Sequence, residues 1–346
     1  MKNAIQNFGA MDGKNRYQIP FEKLDIKRQL TVILDVFGHD HQVRNKGVGN
    51  ATKKARGYVI FQLVEDLRKN GFAIKNILNL GQRHIKAVVK MWLDNGLEPS
   101  TIQQRMTILR WFCTSIGKDD MIHGNDYYGI PPERVARTYV ATVDKSWVGN
   151  EVLTNELIEK VRQEDPYVAM NLELMQQFGL RIRESVLLRP RFSDFGESIN
   201  VEDGTKGGRP RVVPIRNEKQ REVLDRAIKM AEQNTRKAMV HPNRNAVQTI
   251  NRIYYVCRKH GITKEQMNIT PHGLRHEYAN DRYEEVSGVP SVVRGGNFAD
   301  VDRQRDEEAR YTVTRELGHA RLSITGAYTG SRRLFKSDKS TKSGSV

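Results

Sequence analysis

The sequence is poor in cysteine, in long apolar runs and in acidic residues relative to basic ones, and each shortage excludes something. Among its 346 residues, Cys113 and Cys257 are the sole cysteines. Two lone thiols make neither a redox pair nor a zinc ligand set, and no histidine pair brings a third ligand at metal spacing. Both lie in apolar helical patterns, so buried thiols are expected, with no metal and no other cofactor. No segment approaches the roughly 20 apolar residues of a membrane-spanning helix. The opening Met-Lys-Asn-Ala-Ile-Gln-Asn-Phe has no apolar run of the kind a secretory leader needs. A protein of a reducing cytoplasm, with no membrane partner, is therefore expected, in a bacterial cytoplasm or nucleoid.

Acidic residues are outnumbered 41 to 57 by Lys and Arg, giving a net charge of +16 and a pI near 9.8. Such an excess points to a polyanionic partner, of which nucleic acid is the commonest. The length suggests two domains.

Residues 1–20 are polar and without period, and read as a flexible arm. An all-α domain is expected over 21–120. Its first helix carries Leu30, Ile33, Leu34 and Phe37 and stops at Gly38, the second covers 51–70, and the third covers 74–94 with a break near Gly81. The fourth follows Pro99 and opens with a capping box made by Ser100 and Gln103. Exposed faces are expected to carry Lys53, Lys54, Arg56, Lys86, Lys90 and Arg105. Residues 121–151, with Gly124, Gly129, Pro131, Pro132 and Gly149, read as a linker with one short helix around Glu133. The second domain is placed at 152–335, opening with Thr154 as an N-cap, and a flexible tail at 336–346. In it a helix over 167–178 precedes two β-like runs, 198–202 and 211–215, joined by the glycine-rich turn Asp203–Pro210. Helices follow near 219–233 and 246–260. The fold class is thus mainly α with a small β-sheet, an α+β arrangement.

Leu317-Gly318-His319 reads as a helix end, closed by Gly318 in a left-handed cap. A short helix over 323–328 would then bring Tyr328 back beside His319. Alone, this would be an ordinary surface helix. Upstream, however, stand Gly179-Leu180-Arg181 with Glu184, Lys206 at the hairpin turn, and His272 with Arg275 one helical turn apart. Two arginines, two histidines, a lysine and a tyrosine form a set suited to handling a phosphate. Arg183 competes with Arg181. His241, His260 and His276 read as structural or surface residues.

These motifs, in this order and with Tyr328 nine residues beyond His319, resemble the tyrosine recombinase (phage integrase) family over roughly 153–330. The resemblance implies an all-α core-binding domain that lays helices on DNA, followed by a catalytic domain. It assigns Tyr328 as nucleophile, Arg181 and Arg275 as phosphate clamps, His319 as a hydrogen-bond donor, His272 as acceptor or relay of the tyrosine proton, and Lys206 as general acid. Glu184 is expected to hold an arginine or cap backbone nearby. Lys53, Lys54, Arg105, Arg209 and Arg211 are expected on DNA phosphates. The implied activity is site-specific recombination for a mobile genetic element, through a 3′-phosphotyrosyl intermediate and a Holliday junction. The implied partners are double-stranded DNA, a homotetramer on it, and accessory DNA-bending proteins. A type IB topoisomerase-like strand cleavage, or a DNA-binding regulator with a vestigial site, are the rivals. One departure stands out: Arg275 and His319 are further apart than is usual in the family, with the excess expected between Ser287 and Ala309.

Affinity for duplex DNA is expected to fall steeply with salt, by about 0.9 in log–log slope for each phosphate neutralised. A titration at several salt concentrations checks this, and a flat slope removes the polyanion reading.

Overall fold

The structure, a computed structural model, describes residues 10–12, 15–39, 47–136 and 139–331. The expected tail at 336–346 lies outside them. The chain divides into two compact units, Met1–Arg137 and Thr138–Val346.

In the first unit, strands β1 (Ala10–Asp12) and β2 (Asn15–Ile19) pair antiparallel, with Ala10 opposite Ile19. The described part of the expected flexible arm is therefore a strand pair; Tyr17 and Ile19 supply the β-formers. Helix α1 (Ile26–Phe37) is capped by Asp25, whose carboxylate accepts from the Lys27 and Arg28 amides at 3.0 and 3.1 Å. Helix α2 (Asn50–Lys69) follows, then a 3₁₀ turn (Ile77–Asn79) and α3 (Gln82–Asp94), so the break falls at Gly81 as expected. Helix α4 (Pro99–Ser115) has Glu98 as its N-cap, two residues before the Ser100 that the sequence suggested. Pro99 occupies its first position, where a fixed φ and a missing N–H cost nothing. Ser100 therefore lies inside the first turn and the expected capping box does not form; the Gln103 amide instead donates to the Val135 carbonyl.

Leu30, Leu63, Val88, Trp92, Ile102 and Phe112 form the centre of this unit's core, and each such side chain contributes about 1.5–3 kcal/mol by leaving water. The core reaches past 120, for Ile122, Tyr128 and Ile130 belong to it. Around Glu133 the chain makes a single 3₁₀ turn, Pro132–Arg134.

Two of the basic residues expected on the surface are inside. Arg56 is buried, donates to the Gly38 carbonyl at 2.9 Å and lies 4.0 Å over the Trp111 ring. Arg105 has 14% of its side chain exposed; it pairs with buried Asp66 at 3.5 Å and lies 5.0 Å over Trp92. Asp66 also accepts from Trp92 Nε1 at 2.9 Å and Gln62 Nε2 at 2.8 Å. Arg105 is thus a strut inside the helix bundle rather than an open phosphate contact.

The second unit is built on α6. Helix α5 (Thr154–Glu164) is preceded by Leu153 and not capped by Thr154, whose hydroxyl donates to buried Glu277 at 3.1 Å. Helix α6 (Pro166–Phe178) is capped by Asp165 and nearly wholly buried through Val168, Leu172, Leu174 and Phe178. Around it pack α5, α7 (Ile182–Leu187), α9 (Glu218–Glu232), α10 (Ala246–Lys259) and α11 (Gly273–Ser287), while α8 (Pro190–Ser193) packs on α9, and α12 (Arg303–Glu316) and α13 (Gly326–Thr329) pack on α11. Strands β3 (Ser198–Val201) and β4 (Arg211–Pro214) pair antiparallel, Val201 opposite Arg211 and Ile199 opposite Val213. Ala141 and Trp147 are buried in this unit, so the stretch read as a linker is divided between the two units. Cys113 and Cys257 are both buried, and burial pushes their thiols up to about 12. No helix among the described residues is long and apolar enough to cross a membrane.

Asp66→Ala is expected to destabilise the protein by about 3 kcal/mol, since it strands the Trp92 donor and the Arg105 charge. Arg105→Ala is expected to lower stability and leave DNA affinity within about twofold, as a residue without a phosphate contact should. Denaturant melts and a binding titration on each variant check both.

Candidate active site

Two glycines set the site's frame. Gly179 ends α6 at φ +59°, and a Cβ there would lie 2.6 Å from the Tyr278 ring and 2.9 Å from Leu317. Gly318 ends α12 at φ +66°, and a Cβ there would lie 2.8 Å from Arg211 Cδ. Both need the left-handed region and a bare Cα, so these two chain reversals can approach α11 and β4 closely.

Arg181 opens α7. Its backbone N–H donates to Glu184 Oε2 at 2.7 Å and its Nη1 to Oε1 at 2.6 Å. Glu184 is fully buried and also takes a bidentate pair from Arg211 at 2.9 and 2.7 Å, with Arg275 at 3.7 Å. Burial alone would raise this carboxyl; Arg211, then Arg275 and Arg181, outweigh it and hold the group below the usual range. The expectation for Glu184 was of this kind. Arg211 corrects another: 3% of its side chain is exposed, and its Nε donates to the Glu316 carbonyl at 2.7 Å. It orders the site from beneath, with its guanidinium turned to Glu184 and Glu316 and away from solvent. Period-2 alternation carries the signal, because Val213 faces the core and Arg211 stands two positions before it. Arg209 is exposed on the loop between β3 and β4, Arg183 on α7 and Lys54 on α2 are exposed as well, and Lys53 is half-buried.

Arg275 lies at the centre, fully buried on α11. Its Nη1 donates to the Gly179 carbonyl and its Nη2 to the Leu317 carbonyl. Its Nε meets the Tyr328 hydroxyl at 3.3 Å, and Nη2 meets His319 Nε2 at 3.3 Å. Burial pushes it down to about 10, which still leaves it charged at neutral pH. A guanidinium can only donate, so His319 Nε2 is the acceptor here and the neutral ring carries its proton on Nδ1, which is buried without a partner. For His319 to donate to a substrate through Nε2, that Arg275 contact must be exchanged.

Tyr328 is 6% exposed. The turn before it is a 3₁₀ segment, Leu322–Ile324, with α13 itself covering Gly326–Thr329, shorter than the helix expected. Its ring stacks on His319 at 5.4 Å and lies 4.6 Å from His276 and 6.2 Å from His272. His272 stands just before α11, exposed on one side while protein atoms crowd the rest of it. Withdrawal from bulk water, then the charges of Arg275, Arg181 and Lys145, push it down to about 4. Burial first, then Arg275 and Arg181, push His319 down to about 3. Lys206, exposed on the loop between β3 and β4, adds to that effect.

His276, read from sequence as structural or surface, is a residue the motifs missed. It is 8% exposed, packs on Tyr328 and on His272 at 5.3 Å, and is pushed down to about 3 by burial, then His272 and Lys145. Its spacing of four from His272 on a helix was the available signal. Lys145, exposed in the stretch of the second unit that precedes α5, was not singled out either. Elsewhere His260 pairs with Glu164 at 3.0 Å and His241 packs on Tyr167.

A family model described as Integrase matches residues 136–281, and one described as Phage integrase, N-terminal, matches residues 42–122. Both matches are to integrase models, and the chain is similar to members of the tyrosine recombinase (phage integrase) family. Within the family, tyrosine recombinase XerA of Pyrococcus horikoshii is 29% identical over 181 residues, 51% of this chain and 55% of that protein, so the chain spans about half the length of this curated relative. In fold it resembles lambda integrase, solved as a dimer on a core site (TM-score 0.58, 12% identity, 89% of this chain and 96% of that one) and as a tetramer on a Holliday junction (TM-score 0.54, 12% identity, 87% and 79%). It also resembles the Tn1549 transposon integrase bound to transposon right-end DNA (TM-score 0.53, 14% identity, 91% and 99%). The mainly helical architecture with its small sheet is that of this fold.

The histidines give a pH test whose sign is fixed. A ring with a folded value below its unfolded value of about 6.5 stabilises the fold above that pH, and loses the contribution as pH falls toward the folded value. Stability is therefore expected to fall from pH 6.5 to 5, before ordinary carboxylates titrate, by up to about 1.4 kcal/mol per pH unit for a histidine as buried as His276. His276→Phe should flatten that slope in denaturant melts; an unchanged slope would place the acid sensitivity elsewhere.

Proposed function

We propose that the protein is a site-specific DNA recombinase that cuts and rejoins duplex DNA through a 3′-phosphotyrosyl intermediate. The observation that carries this reading is Arg275, whose buried guanidinium reaches the Tyr328 hydroxyl and His319 at 3.3 Å each. A planar, permanently charged fork suits the nonbridging oxygens of a phosphodiester. Arg181, one-fifth exposed beside Glu184, offers the second fork.

In the proposed step the Tyr328 oxygen bonds to phosphorus as the bond to the 5′ oxygen breaks. The phenolic proton passes toward His272, and Lys206 gives a proton to the departing 5′ oxygen. Charge building on the phosphorane-like transition state is met by Arg181, Arg275 and, once its contact is exchanged, His319. The phosphotyrosyl ester keeps the energy of the broken bond, so the 5′-hydroxyl of another strand can displace the tyrosine with no external energy. Two duplexes exchanging four strands through a Holliday junction call for four protomers, and the lambda integrase tetramer on such a junction supports that count. The likeness to a transposon integrase supports a mobile genetic element as the context. On this reading residues 21–120 are the core-binding domain and 152–335 the catalytic domain, and Lys53, Lys54 and Arg209 meet DNA phosphates. Accessory DNA-bending proteins and a cytoplasmic setting complete the proposal.

The test is covalent capture on nicked duplexes from a random-sequence library, in EDTA. The parent protein is expected to form a denaturant-resistant adduct, Tyr328→Phe none, and Tyr311→Phe, altered on the exposed face of α12, as much as the parent. A strict Mg²⁺ requirement for cleavage, or an adduct with Tyr328→Phe, would sink the reading. On captured sequences Lys206→Ala should cleave about 10²–10⁴ times more slowly, as loss of a general acid does. A sulfur at the 5′ bridging position should restore it, because a thiolate leaves without a proton. Arg181→Ala should not be restored that way.

A further inference from the structure

Helix α13 has four residues, Gly326–Thr329. A helix of one turn is not stable by itself, so the position of Tyr328 is imposed by what surrounds it. One side is supplied by α12: Arg310 Nη1 donates to Thr329 Oγ1 at 3.2 Å and to the Gly330 carbonyl at 2.8 Å. The other side is supplied by the stretch that lengthens the interval between Arg275 and His319.

That stretch folds back from the end of α11 onto α13. Ser291, 1% exposed, donates its hydroxyl to Asn280 Oδ1 at 2.6 Å. Asn280 is fully buried, and its Nδ2 donates to the His276 carbonyl at 2.9 Å and reaches the Tyr328 carbonyl at 3.5 Å. Val292 covers Gly330: a Cβ at Gly330 would lie 2.3 Å from Val292 Cγ2. Gly330 has φ +79° and ψ −173°, a conformation that is essentially glycine's alone, so chain and valine meet there without a side chain between them. The fold-back is braced internally, since the Arg294 and Gly296 amides both return to the Ser291 carbonyl, at 2.9 and 3.0 Å. Arg294 then ties it to Asp144 at 3.1 Å and to Asp281.

We infer that residues 288–302 form a strap that holds the tyrosine-bearing helix against Arg275, with Ser291 and Val292 as positioning residues acting through Asn280 and Gly330. The inference rests on the reading of Tyr328 as nucleophile. Its chemical content is that the phenol's alignment depends on two contacts, Asn280 with the Tyr328 carbonyl and Val292 with Gly330, neither of which involves a reacting atom. Losing them frees the tyrosine without touching any group that meets DNA.

The test uses Ser291→Ala and Val292→Ala, separately, in the full chain. Amide exchange in peptides covering 326–330 is expected to speed up about tenfold or more in each, with peptides from α6 unchanged as the control for folding. On the captured nicked duplex, the first-order rate of adduct formation at saturating DNA should fall about 10- to 100-fold, the scale of a small misplacement of a reacting group. The DNA concentration at half-saturation should stay the same. A structural defect alone would instead speed exchange in α6 as well. Exchange at 326–330 equal to the parent overturns the strap, and so does faster exchange with a parental adduct rate. Tyr328→Phe, run beside them, separates the two ideas: an adduct with that variant removes the nucleophile assignment, whereas parental rates for the strap variants beside an inactive Tyr328→Phe remove the strap alone.

Discussion

Glu184 is a fully buried carboxylate shared by Arg181, Arg211 and Arg275, and the arrangement of the second unit depends on it. Three guanidinium groups gathered in a poorly solvated place repel one another, and each brings a large desolvation cost. A single carboxylate with two oxygens and four acceptor directions offsets much of that. It also accepts the Arg181 backbone N–H at 2.7 Å, which fixes where α7 begins. Through Arg211 the ordering passes to the Glu316 carbonyl at the end of α12, and so to the turn at Gly318 that carries His319. Through Arg275 it passes to the Gly179 and Leu317 carbonyls and to Tyr328. Four segments distant in sequence are set relative to one another by one acid. Two of its three arginines remain near the surface or near Tyr328; the third, Arg211, has become wholly structural.

Much of this was legible beforehand because the chemistry leaves few substitutes. A left-handed helix end next to a close neighbour asks for glycine, and Gly179 and Gly318 stand at those ends. Charge that must not titrate asks for arginine, and Arg181 and Arg275 lie beside Glu184. The helices of the first unit, α1 to α4, were likewise visible in their apolar period, and the hairpin in its turn residues. Motif order could not say where Arg275's five N–H groups go, nor that the ring of His276 would pack on Tyr328, since both depend on how α11 meets α13.

The basic residues show the limit most clearly. From sequence, Arg56, Arg105 and Arg211 looked like the neighbours of Lys53, Lys54 and Arg209. In the structure Arg56 and Arg105 lie against Trp111 and Trp92, and Arg105 answers Asp66. An arginine has an apolar stem and a flat, weakly hydrated head that packs on an aromatic face. A lysine ammonium is held in water far more strongly. In a chain with a large positive excess the arginines are therefore the ones that disappear inside, and a count of charge per helix overstates the face available to a polyanion. Net charge speaks to the class of partner and not to which side chains touch it.

The same distinction bears on the chemistry of the site. His272, His276 and His319 surround Tyr328, and all three are pushed far below the ordinary imidazole value, by burial or partial withdrawal from water and then by neighbouring positive charge. At neutral pH the site's charge therefore sits on groups that do not titrate. A ring held near 4 is a poor acceptor for a phenol's proton. The balance changes with what stands beside it, because an opposite charge within a few ångströms favours the protonated ring. A phosphodiester brought against Arg181 and Arg275 supplies that charge. On the proposed mechanism, the group that places the phosphorus in line with Tyr328 also makes His272 a better base for Tyr328's proton. Coupling the two is a physical reason for keeping histidines, and not further lysines, around the nucleophile: a permanently protonated neighbour could not take the proton at all.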